Sequence, residues 1–250
     1  MILGLRLLMT PLLIATATLV GRRMGPGVSG WLIGFPLTSA PVSVILALQY
    51  GPTFAAQAAV GNLAGLVSIC AFSLTYSAIS HARNWLVSVA AAALAFLFAT
   101  IILNSFSLML LPTFVIVLVT IGLTLRLIPK RALDAPAAQA PRWDLPVRMI
   151  VATTFVIMLT GLAPLLGPQL SGLITPFPVY GAVLASFANR QQGAAAARNL
   201  LRGMTASLFG VAGFFLVVGG LLTSLAMGWT YALATMVVIA VNGVSFRSTR

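Results

Sequence analysis

A glycine- and proline-rich stretch occurs twice in this 250-residue chain, and each copy interrupts an apolar run otherwise long enough to cross a membrane. Gly25-Pro26-Gly27-Val28-Ser29-Gly30-Trp31-Leu32-Ile33-Gly34-Phe35-Pro36 returns 142 residues later as Gly167-Pro168-Gln169-Leu170-Ser171-Gly172-Leu173-Ile174-Thr175-Pro176-Phe177-Pro178. The register extends outward without a gap. Arg6 matches Arg148, Thr18 matches Thr160, Gln49 matches Gln191, Gly51 matches Gly193 and Gly61 matches Gly203. With three Ala pairs and Leu66/Leu208, fifteen positions are identical between Gly4–Ser68 and Pro146–Gly210. An apolar chain produces Ala and Leu matches by chance, but hardly those of Gly, Pro, Arg and Gln. The pattern reads as an internal duplication.

The class follows from what surrounds the motif. Apolar runs of ~20 residues suffice to cross a hydrocarbon core of ~30 Å as helices. Only 6% of the residues are charged, against about 25% in a soluble domain, and the mean hydropathy is +1.08. The alternation of a membrane β-barrel strand is absent. An all-α polytopic membrane protein is expected. Cys70 is the only cysteine and His81 the only histidine, while Asp134 and Asp144 are the only acids and share one polar linker. These residues offer no disulfide framework, no metal-ligand spacing and no base beside a nucleophile. Neither a cofactor nor enzymatic activity is expected.

Nine spanning segments are predicted. The first repeat (residues 1–104) holds Ile2–Val20, Val28–Gln49, Thr53–Ile79 and Asn84–Leu103. The first is not a signal peptide, because Arg22 and Arg23 follow its apolar run instead of preceding it. Residues 105–146 supply a linker helix, Ser107–Leu127, and a polar cytoplasmic loop, Ile128–Pro146. The second repeat (residues 147–250) holds Val147–Leu166, Leu170–Ala188, Asn199–Thr223 and Met227–Phe246. Trp31, Trp85, Trp143 and Trp229 fall near segment ends, as interfacial anchors do.

Four helices, one helix and four helices turn the second repeat upside down relative to the first. Charge supports that inversion. Arg22, Arg23 and Arg83 follow the first and third helices of repeat one, and the equivalent loops of repeat two are neutral. After the second helices the pattern reverses, with Arg190 and Arg198 in repeat two and none in repeat one. An outside N-terminus and cytoplasmic C-terminus put thirteen of the fourteen basic residues on the cytoplasmic side, all but Arg6. The net charge of +12 would suggest nucleic acid in a soluble protein. Here it implies anionic lipid at the cytoplasmic face of the cell membrane, and no nucleic acid. The plan resembles the small multidrug resistance and fluoride-channel families, whose four-helix chains insert both ways and pair antiparallel. That resemblance is architectural, and the intramembrane Glu of the former has no counterpart here.

Inverted repeats with broken helices place binding sites near the midplane, where half-helix ends and unwound backbone meet. Gly34, Phe35, Pro36, Thr38, Ser39 and Ser43 at the first break are the candidate substrate-binding residues, with Pro176, Phe177, Pro178 and Tyr180 at the second. Ser186 is a further polar group there. Pro36 and Pro41 release the carbonyls of Leu32 and Leu37. The same breaks serve equally as packing kinks. The Gly and Ala ridges of the third and eighth segments are expected to be helix contacts, and Arg6 and Arg148 to snorkel. No carboxylate lies within a predicted span, which excludes a carboxylate proton relay and disfavours a cation exporter. A permease, channel or exporter for a small neutral or anionic solute is expected. The alternative is a non-transporting membrane subunit or scaffold whose basic face recruits anionic lipid or a partner protein. A homo-oligomer is compatible with either.

Overall fold

The computed structural model describes residues 2–36, 39–81, 84–106, 108–128, 143–151, 153–154 and 177–245. All regular structure among them is helical. The helices are α1 (Ile2–Met24), α2 (Pro26–Ile33), α3 (Ser39–Tyr50), α4 (Pro52–Ile79), α5 (Trp85–Asn104), α6 (Leu110–Leu127), α7 (144–151), α8 (Val179–Gln192), α9 (Ala194–Leu221) and α10 (Met227–Ser245). Five of them, α4, α5, α6, α9 and α10, are long and apolar enough to cross a membrane. That is compatible with a multi-pass membrane protein.

Glycine sets three of the joints. Gly25, Gly51 and Gly193 have φ of +93°, +87° and +86° with extended ψ, a region open essentially to glycine alone. Each closes the preceding helix by donating its N–H four residues back, to Gly21, Ala47 and Asn189. Pro26 and Pro52 then occupy the first helical position, where no amide donor is needed. Asn84 caps α5 by accepting the Val87 N–H at 2.9 Å.

Two helices form the centre. α9 packs on α2, α4, α6, α8 and α10, while α4 packs on α3, α5, α6 and α9. In the apolar window of α9, 67% is buried, against 22% for α5, α6 and α10. Those outer helices turn side chains such as Leu94, Phe98, Leu111 and Ile239 outward, as a lipid-facing periphery does. The two central helices run antiparallel. Arg198 Nε donates to the Ser77 carbonyl at 2.8 Å near one end, and Gly219 lies beside the Ala56 carbonyl near the other.

Helix limits recur at the 142-residue spacing of the sequence motif. α9 begins and ends 142 residues after α4, α10 begins 142 after α5, and α8 ends 142 after α3. The contacts Ser77–Arg198 and Ala56–Gly219 exchange under the same shift. So do Thr100 Oγ1–Ser68 Oγ, at 2.7 Å, and the packing of the Asn242 amide over Gly210.

Several expected segments differ in their limits, and the first runs on through Arg22 and Arg23 to Met24 instead of ending at Val20. The expected Val28–Gln49 span is two helices, α2 and α3, with the chain break between them. The eighth segment starts at Ala194, five residues before the expected Asn199. The expected loop Asn189–Asn199, with Arg190 and Arg198, is helix on both sides of a turn at Gly193, because α8 runs on to Gln192 and the alanines at 194–197 favour helix. Most of the sixth segment, the first part of the seventh and the Asp134 loop lie outside the described residues.

Candidate functional site

The break in the second helix forms where α2 meets α9. Gly30 on α2 and Gly34 at its C-terminal cap stand four apart, a spacing that lets helix backbones touch. A methyl group on Gly30 would fall 1.7 Å from the Leu200 carbonyl oxygen, and one on Gly34 would fall 1.7 Å from Ser207 Oγ and 2.7 Å from the Met204 carbonyl. From α9, Gly203 fits against the Gly27 carbonyl and the Trp31 amide in the same way. At the break, the Gly34 N–H bonds Gly30 O at 3.1 Å and the Phe35 N–H bonds Leu32 O at 3.4 Å. The Leu32 carbonyl expected to be released is therefore taken up one residue earlier along the chain. Pro36 O accepts from the Ala40 N–H at 2.9 Å and so starts α3.

The second break ends in the bundle interior as well. Phe177 packs edge-on against Phe96 and Phe72, with ring centroids at 5.2 and 5.9 Å. Its carbonyl accepts the Val179 N–H, and Pro178 O accepts the Ala182 N–H, both at 2.8 Å. Gly181, one turn into α8, faces the Met204 sulfur. Met204 thus stands between the two breaks, with its carbonyl toward Gly34 and its thioether toward Gly181.

Among the expected site residues, Gly34 and Pro36 are buried, while Phe35, Ser39, Phe177, Pro178 and Tyr180 are half-buried. Phe35 lies edge-on to Trp31 at 4.8 Å, which draws that tryptophan into the α2–α9 region. Ser43 is buried and hydrogen-bonded to the Tyr231 hydroxyl at 2.8 Å, joining α3 to α10. Ser186 is buried near the Tyr76 hydroxyl, which also receives a 3.4 Å bond from Asn189 Nδ2. Thr38, Pro176 and the Leu37 carbonyl lie outside the described residues.

Tyr231 carries no sequence signal of its own, because a tyrosine near a span end reads as an anchor. Its bond to Ser43 has a measurable consequence. Tyr231→Phe leaves the Ser43 hydroxyl without that partner in an apolar setting, a loss of about 1–3 kcal/mol. A thermal-melting comparison should place Tyr231→Phe below wild type and the double variant with Ser43→Ala no lower than Tyr231→Phe alone. Additive losses would mean that the two hydroxyls do not act as a pair.

A polar cluster closes one end of the bundle. Asp144 is fully buried at the start of α7. Arg148 Nε donates to its Oδ1 and Arg22 Nη2 to its Oδ2, each at 2.9 Å. Gln191 Nε2 also donates to Oδ1, and Gln191 Oε1 accepts from Arg148 Nη2 at 2.8 Å. Burial alone would raise the Asp144 pKa; the bonds from Gln191, Arg148 and Arg22 outweigh it and hold the carboxyl below its ordinary value. Arg148, expected to snorkel, is instead buried, ion-paired and stacked over the Phe187 ring at 4.8 Å. Arg6 lies in α1, and its side chain is outside the described residues.

Nearby, Arg202 Nη1 takes the terminal carbonyls of α6, Leu125 O and Ile128 O. With Arg198 on Ser77 O, these contacts gather the C-terminal ends of α1, α4, α6 and α8 and the N-terminal part of α9 at one basic end. Cations there also complement the negative ends of the helix dipoles.

No family model, curated protein or solved structure matches this chain.

Proposed function

We propose that the chain is a membrane permease, channel or exporter for a small neutral or anionic solute, not an enzyme. In this reading nine spanning helices form two inverted four-helix repeats around a linker helix. The N-terminus faces outside, and the basic end meets the cytoplasm and its anionic lipid. Support for the inversion comes from the recurrence of helix limits at 142 residues, the antiparallel run of α4 and α9, and the contacts exchanged by that shift. The observation that carries the transport reading is the convergence of the end of α2 at Gly34 and the start of α8 at Gly181 on Met204, deep in the bundle. Irregular backbone at membrane depth is tolerated where protein or a water-lined path satisfies it. Ser39 and Ser43 on α3 and Tyr231 on α10 add hydroxyls to the bundle, the last two bonded to each other.

The test is solute flux in liposomes, guided by thermal stabilisation of the purified protein against anions, amino acids, sugars and cations. Joint replacement Pro36→Ala with Pro178→Ala is expected to cut flux at least about tenfold while the melting temperature changes by only a few degrees. Equal loss of flux and stability would make the breaks packing features. The scaffold reading has its own support, since glycine contacts and the Phe177 aromatic cluster fill much of the break region. A flat stabilisation panel together with absent flux would favour it.

A further inference from the structure

We infer that Asp144, Arg22, Arg148 and Gln191 form a charge latch that shuts the basic end of the bundle and must part for that end to open. Three pieces of chain meet on one buried carboxylate. Arg22 ends α1 in the first half, Asp144 and Arg148 start α7, and Gln191 ends α8 in the second half. These pieces approach at this end while α4 and α9 hold the centre. The attachments are unequal. Arg148 and Gln191 bond each other as well as Asp144, so they form a closed triangle between the start of α7 and the end of α8. Arg22 adds a single 2.9 Å bond from a side chain 39% exposed to solvent. The exposed bond is the separable one, and it alone of the three joins the two halves.

The sequence shows why only one end would be latched. Arg148 and Gln191 match Arg6 and Gln49, which stand near the start of α1 and the end of α3, toward the opposite end. The arginine and glutamine therefore recur, but Ile2 occupies the position equivalent to Asp144. An arginine and a glutamine without the acid lack the charge attraction that the buried carboxylate supplies at the basic end. The described ion pairs, Arg22–Asp144 and Arg148–Asp144, both lie at the basic end.

The latch explains what the permease reading needs, a closed side, and rests on that reading only for what the opening serves. Its test uses no substrate. Ser186→Cys places a thiol just inside the cluster on α8, buried in the closed arrangement, and the native Cys70 is a fully buried internal control. The full chain in nanodiscs is treated with a polar thiol reagent, and both sites are followed by mass spectrometry. Arg22→Gln is expected to speed labelling at position 186 at least about fivefold, the lower range of coupling between linked sites. Labelling of Cys70 should stay unchanged, and Arg22→Lys should restore the slow rate. An unchanged rate at 186 would overturn the latch. So would an equal rise at Cys70, because Arg22 would then only stabilise the fold. Absent flux for every solute would sink the permease reading and leave this result standing, whereas unchanged labelling would sink the latch alone.

Discussion

Gly203→Ala is expected to cost this protein much of its stability, while Gly61→Ala, the same change at the equivalent position of the first half, is expected to be tolerated. The difference lies in what a methyl group would meet. At position 203 it would fall 1.9 Å from the Gly27 carbonyl oxygen and 2.9 Å from the Trp31 amide nitrogen. Both are backbone atoms, so no rotamer change relieves the overlap, and α2 must move off α9. Overpacking against movable side chains costs about 1–3 kcal/mol, and a backbone clash belongs at or above the top of that range. A domain stable by about 5–15 kcal/mol feels such a loss at once. Gly61 is exposed with nothing within 4 Å, and alanine there is the better helix former. Melting curves of the two purified variants decide the matter. Equal losses would mean that the α2–α9 contact is not as close as described.

Asp144→Asn should have the next largest effect. It keeps the side-chain shape but leaves Arg148, a residue 6% exposed, buried without its counter-charge. Breaking a buried pair from one side costs about 3–5 kcal/mol. Arg22→Gln removes a more exposed partner and should cost under about 1 kcal/mol. The acid dependence has a defined sign. Because the folded-state pKa of Asp144 is lowered, its contribution is complete above the unfolded carboxylate value of about 3.9 and is lost as pH falls through the folded value. Wild-type melting temperature should therefore drop on strong acidification, and that of Asp144→Asn should vary much less. An equal drop in both variants would place the acid sensitivity elsewhere, with Asp134 the one other acidic side chain in the chain.

What could be read in the sequence was whatever depends on one helix at a time. Apolar length gave the membrane-capable helices α4, α5, α6, α9 and α10, Asn84 announced the start of α5, and the Pro36 break fell between two helices. Gly51 and Gly193, aligned as a repeat pair, have the same backbone conformation. Contacts between helices were harder to see. The Gly30–Gly34 spacing is a sequence signal for close packing, but Pro36 two residues on is the stronger local signal and speaks only of released carbonyls. Asp144 looked like a loop acid because its neighbours in sequence are polar. Arg148, four residues on, is a partner the sequence shows, but Arg22 and Gln191 lie 122 and 47 residues away, and no local pattern marks those contacts. The Ser43–Tyr231 bond spans 188 residues and was invisible for the same reason.

Inversion of the two halves is the central claim, and one pair of residues tests it most directly. Tyr50 and Gln192 close α3 and α8, are both exposed, and are equivalent under the 142-residue shift. Cysteines placed singly at these positions are challenged in intact cells with a membrane-impermeant thiol reagent, before and after permeabilisation. Buried Cys70 adds little background. Inverted repeats predict that Tyr50→Cys labels from outside in intact cells and that Gln192→Cys labels only once the membrane is opened. Labelling of both from the same side would contradict the inversion and, with it, the paired-break account of the site.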